Sequence, residues 1–123
     1  MRLLLPGVTD TPLATHAQRA SYGPLLEAGV RILEVGDSVM HAKVGVVDGT
    51  WSSVGSSNLD RRSVAWNNEV DAILLGREVG ALMERVLGRA MSRATPVVLD
   101  QWRRRSLGLR LRELLSWPVM DFL

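Results

Sequence analysis

The stretch Val39-Met40-His41-Ala42-Lys43-Val44-Gly45-Val46-Val47-Asp48-Gly49-Thr50-Trp51-Ser52-Ser53-Val54-Gly55-Ser56-Ser57-Asn58 decides the reading of this chain. Val39–Val47 and Trp51–Val54 read as two β-strands rich in β-branched residues. Asp48-Gly49 between them is a two-residue hairpin signal, because both residues tolerate the positive φ that a tight turn of the correct twist requires. Side chains two apart on a strand share a face, so this spacing sets His41 beside Lys43. Ser56 and Asn58 repeat the spacing in a small, polar segment beyond the second strand.

Working outward, Arg2–Leu5 reads as a strand stopped by Pro6-Gly7. Thr9-Asp10-Thr11 can cap a helix from about Pro12 to Ala28, with Gly29 just past its end. Val30–Val35 reads as a strand and Gly36-Asp37-Ser38 as a turn. On the far side, Glu69–Leu75 reads as a strand. Gly76–Arg93 reads as a helix whose apolar positions are Val79, Leu82, Met83, Val86 and Leu87. Pro96 ends that helix or lies just beyond it. A final helix from about Leu99 to Ser116 falls in a basic amphipathic segment, 97–118. The order is that of an α/β chain: a mixed β-sheet covered by helices, in one domain over 1–123.

The 123 residues are 46% hydrophobic, enough to build a core and unlike a disordered chain. There is no cysteine, which excludes disulfides and thiolate metal sites. Two histidines, His16 and His41, are too few for a protein-built zinc cage, so neither metal nor cofactor is expected. His16 reads as a solvated helix residue. The formal charge is only +2, with an isoelectric point near 9.9. Lys43 is the single lysine beside fourteen arginines; retaining lysine there points to a need for a compact ammonium. No apolar run is long enough to span a bilayer, so membrane contact is expected to be peripheral. Arg103, Arg104, Arg105, Arg110 and Arg112, interleaved with leucines, suit either an anionic lipid surface or a solvated basic face. The chain lacks the broad basic face of a nucleic-acid binder.

The pattern H-x-K-x4-D-x6-G-S-x-N, followed by Asn67-Asn68-Glu69, contains what phosphoryl transfer needs. A neutral imidazole can attack phosphorus, and a protonated one can give its proton to a leaving alcohol. Lysine, serine and asparagine can bind non-bridging oxygens as charge builds. A carboxylate can hold an imidazole in one tautomer.

These residues, His41-Ala42-Lys43, Asp48 and Gly55-Ser56-Ser57-Asn58-Leu59-Asp60, resemble the phospholipase D superfamily. Arg2–Gly7, Tyr22-x-x-Leu25-Leu26-x-Ala28-Gly29-Val30-x-Ile32, Asn58-Leu59-Asp60-x-Arg62-Ser63, Asn68-Glu69-Val70 and Trp102-x-x-Arg105 narrow the likeness to the second catalytic half of bacterial cardiolipin synthases. The resemblance implies a phosphatidyl-transferring enzyme acting through a phosphohistidine, with phosphatidylglycerol as substrate; without a spanning run in this chain, its contact with the cytoplasmic membrane is expected to be peripheral. It implies catalytic His41, Lys43 and Asp48, with His41 as acid/base and Asp48 as a buttress. It implies that Lys43, Ser56 and Asn58 bind phosphate and that Glu69 holds the histidine ring. The family has two such motifs, so the partner is a second motif-bearing half or a second copy. Set against that family, the chain is expected to be a truncated half-domain without its first strand and helix, inactive alone. Alternatives are a one-motif dimeric nuclease of the same superfamily and a non-catalytic phosphate-binding fragment.

Overall fold

A computed structural model describes residues 1–8, 12–37, 39–58 and 67–116. The cap assigned to Thr9-Asp10-Thr11, Ser38 of the turn, the Leu59–Ser63 element and the 117–118 end of the basic segment lie outside them. The chain forms two compact units, Met1–Met40 with Arg93–Leu123, and His41–Ser92.

In the first unit, β1 (Arg2–Pro6) and β2 (Arg31–Val35) pair in parallel, Arg2 opposite Arg31 and Pro6 opposite Val35. Parallel pairing requires a crossover, supplied by α1 (Pro12–Ala20) and α2 (Tyr22–Glu27). The continuous helix expected over Pro12–Ala28 is therefore two. Pro24 has no N–H, and its ring would strike the Ala20 carbonyl in an unbroken helix. The chain turns at Ser21, whose N–H donates to the Gln18 carbonyl at 3.1 Å, and Pro24 falls in the first turn of α2, where proline is tolerated. A two-residue strand, Thr95–Pro96, pairs antiparallel with Leu33 and Glu34 and makes this sheet mixed. It had no sequence signal of its own.

Tyr22, Ala17 and Ile32 are the buried apolar side chains of this unit. The Tyr22 hydroxyl sits in a polar chain. Gln18 Nε2 donates to it at 2.8 Å, and it donates to Glu34 Oε1 at 3.1 Å. Arg19 closes the chain with two bonds to the Glu34 carboxylate, at 3.0 and 2.9 Å. Burial holds the phenol proton on well above the usual range, which keeps the hydroxyl a donor to Glu34. Trp102 stacks on Tyr22 at 5.1 Å, and Arg105 lies 3.8 Å over the Trp102 ring. Arg105 Nη1 also donates to the Trp102 carbonyl at 2.7 Å. The Trp102-x-x-Arg105 pair thus acts as an i,i+3 clamp.

The helix expected over Leu99–Ser116 is likewise two, Leu99–Arg103 and Leu107–Ser116, with residues 104–106 between them. These are α4 and α5. Of the arginines in this segment, Arg103 pairs with Glu27 at 2.8 Å and Arg105 serves the clamp. His16 is not the solvated residue expected: its Nδ1 is buried without a protein hydrogen-bond partner among the described residues.

In the second unit, β3 (Lys43–Val47), β4 (Trp51–Gly55) and β5 (Asp71–Leu75) form an antiparallel sheet in chain order. The hairpin turn is the one the sequence called for. Asp48 has φ 51° and Gly49 φ 60°, and the Thr50 N–H donates to the Val47 carbonyl at 3.1 Å. Val47 then pairs with Trp51, so Thr50 is an extra residue at the turn. Helix α3 (Arg77–Met91) packs on all three strands. Its Gly80 is buried against the hairpin tip, where a Cβ would collide with the Gly49 carbonyl. Val79, Met83 and Leu87, four residues apart, are partly covered, while Leu82 and Val86 on the expected apolar face are half exposed.

Candidate functional site

Every candidate residue lies in the His41–Ser92 unit. Lys43 is the first ladder residue of β3, opposite Gly55, the last of β4. The β3–β4 ladder ends there, and the 56–58 loop follows on β4. His41 therefore lies just before the strand, not on it, and the strand pleat is not what pairs the two side chains. Lys43 itself does so. Its Nζ stands 2.8 Å from each His41 ring nitrogen and donates to the His41 carbonyl at 3.1 Å. His41 is exposed and Lys43 half-buried, so the pair is open to a substrate.

The 56–58 loop runs beside the start of β5. Ser56 Oγ accepts from the Val70 N–H at 3.0 Å, while its own contact to the Val70 carbonyl is long, 3.5 Å. The acceptor bond anchors the hydroxyl, and the weakly held proton can rotate toward an anionic oxygen. The Ser56 N–H continues the β-pairing, donating to the Val70 carbonyl at 3.1 Å. Asn58 is exposed on the same short loop. Glu69, two residues before β5, accepts from Asn67 Nδ2 at 3.4 Å.

Asp48 is not brought to this cluster. It sits at the hairpin tip, at the other end of β3. At about 3.3 Å per residue, that is about 17 Å along the strand from Lys43. Its left-handed backbone and the packing of α3 on the neighbouring Gly49 give it a turn-forming place. The structure thus gathers His41, Lys43, Ser56, Asn58 and Glu69 at one end of the sheet, and Asp48 at the opposite end.

One residue the sequence pattern did not single out stands in the cluster. Asp71 Oδ1 accepts from the Ser57 N–H at 3.2 Å. The bonds from Ser57 hold its carboxyl below the usual aspartate range. A hydrophilic start to a strand was visible in the sequence, but only the register Gly55–Asp71 reveals the contact. Among the described residues, no three His, Asp or Glu side chains gather as a metal site would require.

The chain matches the family model described as cardiolipin synthase, PLD-like domain, over residues 1–91. It is 32% identical over 116 residues to a cardiolipin synthase of Geobacillus sp. (strain WCH70), covering 94% of this chain and 23% of that protein. It is 33% identical over 115 residues to cardiolipin synthase A of Proteus mirabilis (strain HI4320), covering 94% of this chain and 24% of that protein. A 74-residue match to the cardiolipin synthase of Alkalihalophilus pseudofirmus reaches 42% identity, over 60% of this chain and 15% of that protein. The chain thus spans about a quarter of the length of the first two curated relatives. No solved structure matches it significantly.

Proposed function

The chain belongs to the cardiolipin synthase PLD-like domain family, and on that premise we propose that it carries one half of a two-motif site for phosphatidyl transfer. The observation that carries the reading is the His41–Lys43 pair, open to solvent beside the Ser56–Asn58 loop. In this reading a histidine of the partner half attacks the phosphorus of one phosphatidylglycerol. The bond to the headgroup glycerol breaks, and His41, protonated at that stage, gives the glycerol its proton. His41 then takes the proton of a second phosphatidylglycerol hydroxyl as that oxygen attacks the phosphohistidine. Cardiolipin leaves, and the partner histidine is restored.

Lys43 and Asn58 grip the non-bridging oxygens, with the rotatable Ser56 hydroxyl assisting. Glu69 orients the His41 ring. Asp48 buttresses the hairpin turn that sets the length and register of β3, in keeping with its distance from the pair. The chain alone turns over little substrate, because its site holds one histidine of two.

Contact with the cytoplasmic membrane is peripheral in this reading. No helix among the described residues is long and apolar enough to cross a membrane. Leu107, Leu111 and Leu115, one helical turn apart, form an exposed stripe on α5 with Arg110 and Arg112 beside it. Such a stripe suits an anionic lipid surface.

The test combines the purified chain with a relative's cardiolipin synthase from which the matching segment has been deleted. Vesicles of phosphatidylglycerol are supplied, and cardiolipin and glycerol are followed by mass spectrometry. Product should form with the mixture and vanish with His41→Ala. His41-dependent DNA cleavage without lipid product would replace this reading with a one-motif nuclease. Phosphate binding without any turnover by the mixture would leave a non-catalytic module.

A further inference from the structure

We propose that Asp71 is a positioning residue for phosphate binding: its carboxylate fixes the Ser56-Ser57-Asn58 loop beside Lys43. This deepens the phosphatidyl-transfer reading and rests on it.

Lys43, Gly55 and Asp71 form one cross-strand row, Lys43 opposite Gly55 and Gly55 opposite Asp71. Directly opposed residues of an antiparallel ladder share a face of the sheet. Lys43 and Asp71 therefore rise on the same face, with a residue lacking a side chain between them. The gap is occupied. A Cβ on Gly55 would collide with Asp71 Oδ1, its Cα and the Val70 carbonyl. The Asp71 carboxylate leans over Gly55, and from there Oδ1 receives the Ser57 N–H at 3.2 Å. Gly55 is thus the clearance that lets a β5 side chain reach across to the loop leaving β4.

The loop so held is the one that carries Ser56 and Asn58. Asp71 ties its middle residue, and Val70 ties Ser56 from the adjacent backbone. Two successive attachments fix the direction in which Ser56 and Asn58 leave the sheet. Depression of the Asp71 carboxyl by the Ser57 bonds keeps the acceptor charged throughout the neutral range. A direct electrostatic effect on Lys43 is the smaller influence. Two strand spacings separate their backbones, about 10 Å, which is roughly one Debye length in solvent. The hydrogen bond to Ser57 is the stronger route.

The test titrates inorganic phosphate onto the 123-residue chain, reading amide resonances of residues 41–58. Lys43→Ala should abolish binding. Asp71→Ala should weaken it by about tenfold or more, the loss expected from one charge-assisted hydrogen bond. Asp71→Asn retains an acceptor oxygen and should rescue binding to within about threefold of the unsubstituted chain. The Ser57 amide supplies a signature that general destabilisation would not. In the unsubstituted chain it should follow a titration with its midpoint below the ordinary aspartate value, and in Asp71→Asn that titration should vanish. If Lys43→Ala loses phosphate but Asp71→Ala binds as well as the unsubstituted chain, the positioning role is overturned while the site reading stands. A Ser57 amide indifferent to pH and to both Asp71 substitutions overturns it as well. If the unsubstituted chain binds no phosphate, the site reading falls and takes the proposal with it.

Discussion

The two units spend their polar groups in opposite ways. In the first, Gln18, Tyr22, Glu34 and Arg19 form a chain of hydrogen bonds around a fully buried tyrosine. Donors there meet acceptors, and Trp102 with Arg105 closes over the ring. In the second, His41, Ser56 and Asn58 stand exposed at the open end of a three-stranded sheet. Satisfied polar groups in a closed setting stabilise and do little chemistry. Polar groups exposed on a braced sheet end stay within reach of a ligand. The basic side chain among the candidate residues is the lone lysine, not one of the fourteen arginines.

Substitutions can break or sharpen this contrast. The largest stability effect should come from the first unit. Tyr22→Ala removes a buried ring together with the hydroxyl that joins Gln18 to Glu34, and should cost about 3–5 kcal/mol in chemical denaturation. His41→Ala should leave that midpoint unchanged, since the ring is exposed, while abolishing turnover by the mixed enzyme. Next is Gly55→Ala, which puts a methyl where the Asp71 carboxylate lies. About 1–3 kcal/mol of overpacking is expected, measurable as a lowered melting temperature. Asp48→Gly should be milder. It relieves a left-handed non-glycine residue at the cost of a more flexible unfolded chain, so stability should move by no more than about 1 kcal/mol. Turnover by the mixed enzyme should stay within about tenfold, because Asp48 lies far from His41; a loss of the size seen with His41→Ala would place Asp48 in the chemistry. The smallest effect belongs to Arg103→Ala. Its ion pair with Glu27 is exposed on both sides, and such pairs contribute about 0–1 kcal/mol.

Much of the architecture was legible because local signals were strong. Asp48-Gly49 specifies the turn that forms, and the α/β order follows from strand and helix patterning. The break between Ala20 and Tyr22 is not legible from apolar patterning alone: the missing N–H of Pro24 suits the first turn of a new helix, not the interior of one. Thr95–Pro96 is too short to announce itself and exists only because β2 offers an edge. The candidates His41, Lys43, Ser56 and Asn58, marked by their spacing, lie at one end of the sheet, although the β3 ladder begins only at Lys43. Asp71 was invisible, since its role depends on which residue of β5 faces Gly55. The Arg19–Glu34 pair was hidden for the same reason: its partners are brought together by the crossover between β1 and β2 rather than by spacing along one element.

In the proposed function, His41 is the acid/base member of a histidine pair whose nucleophile lies in another half. Rapid quenching of the mixed enzyme with radiolabelled phosphatidylglycerol, followed by peptide mapping, tests this directly. The phosphatidyl label should appear on a histidine of the partner half and be absent from the peptide containing His41. A phosphatidyl group on His41, formed by this chain alone, would contradict it.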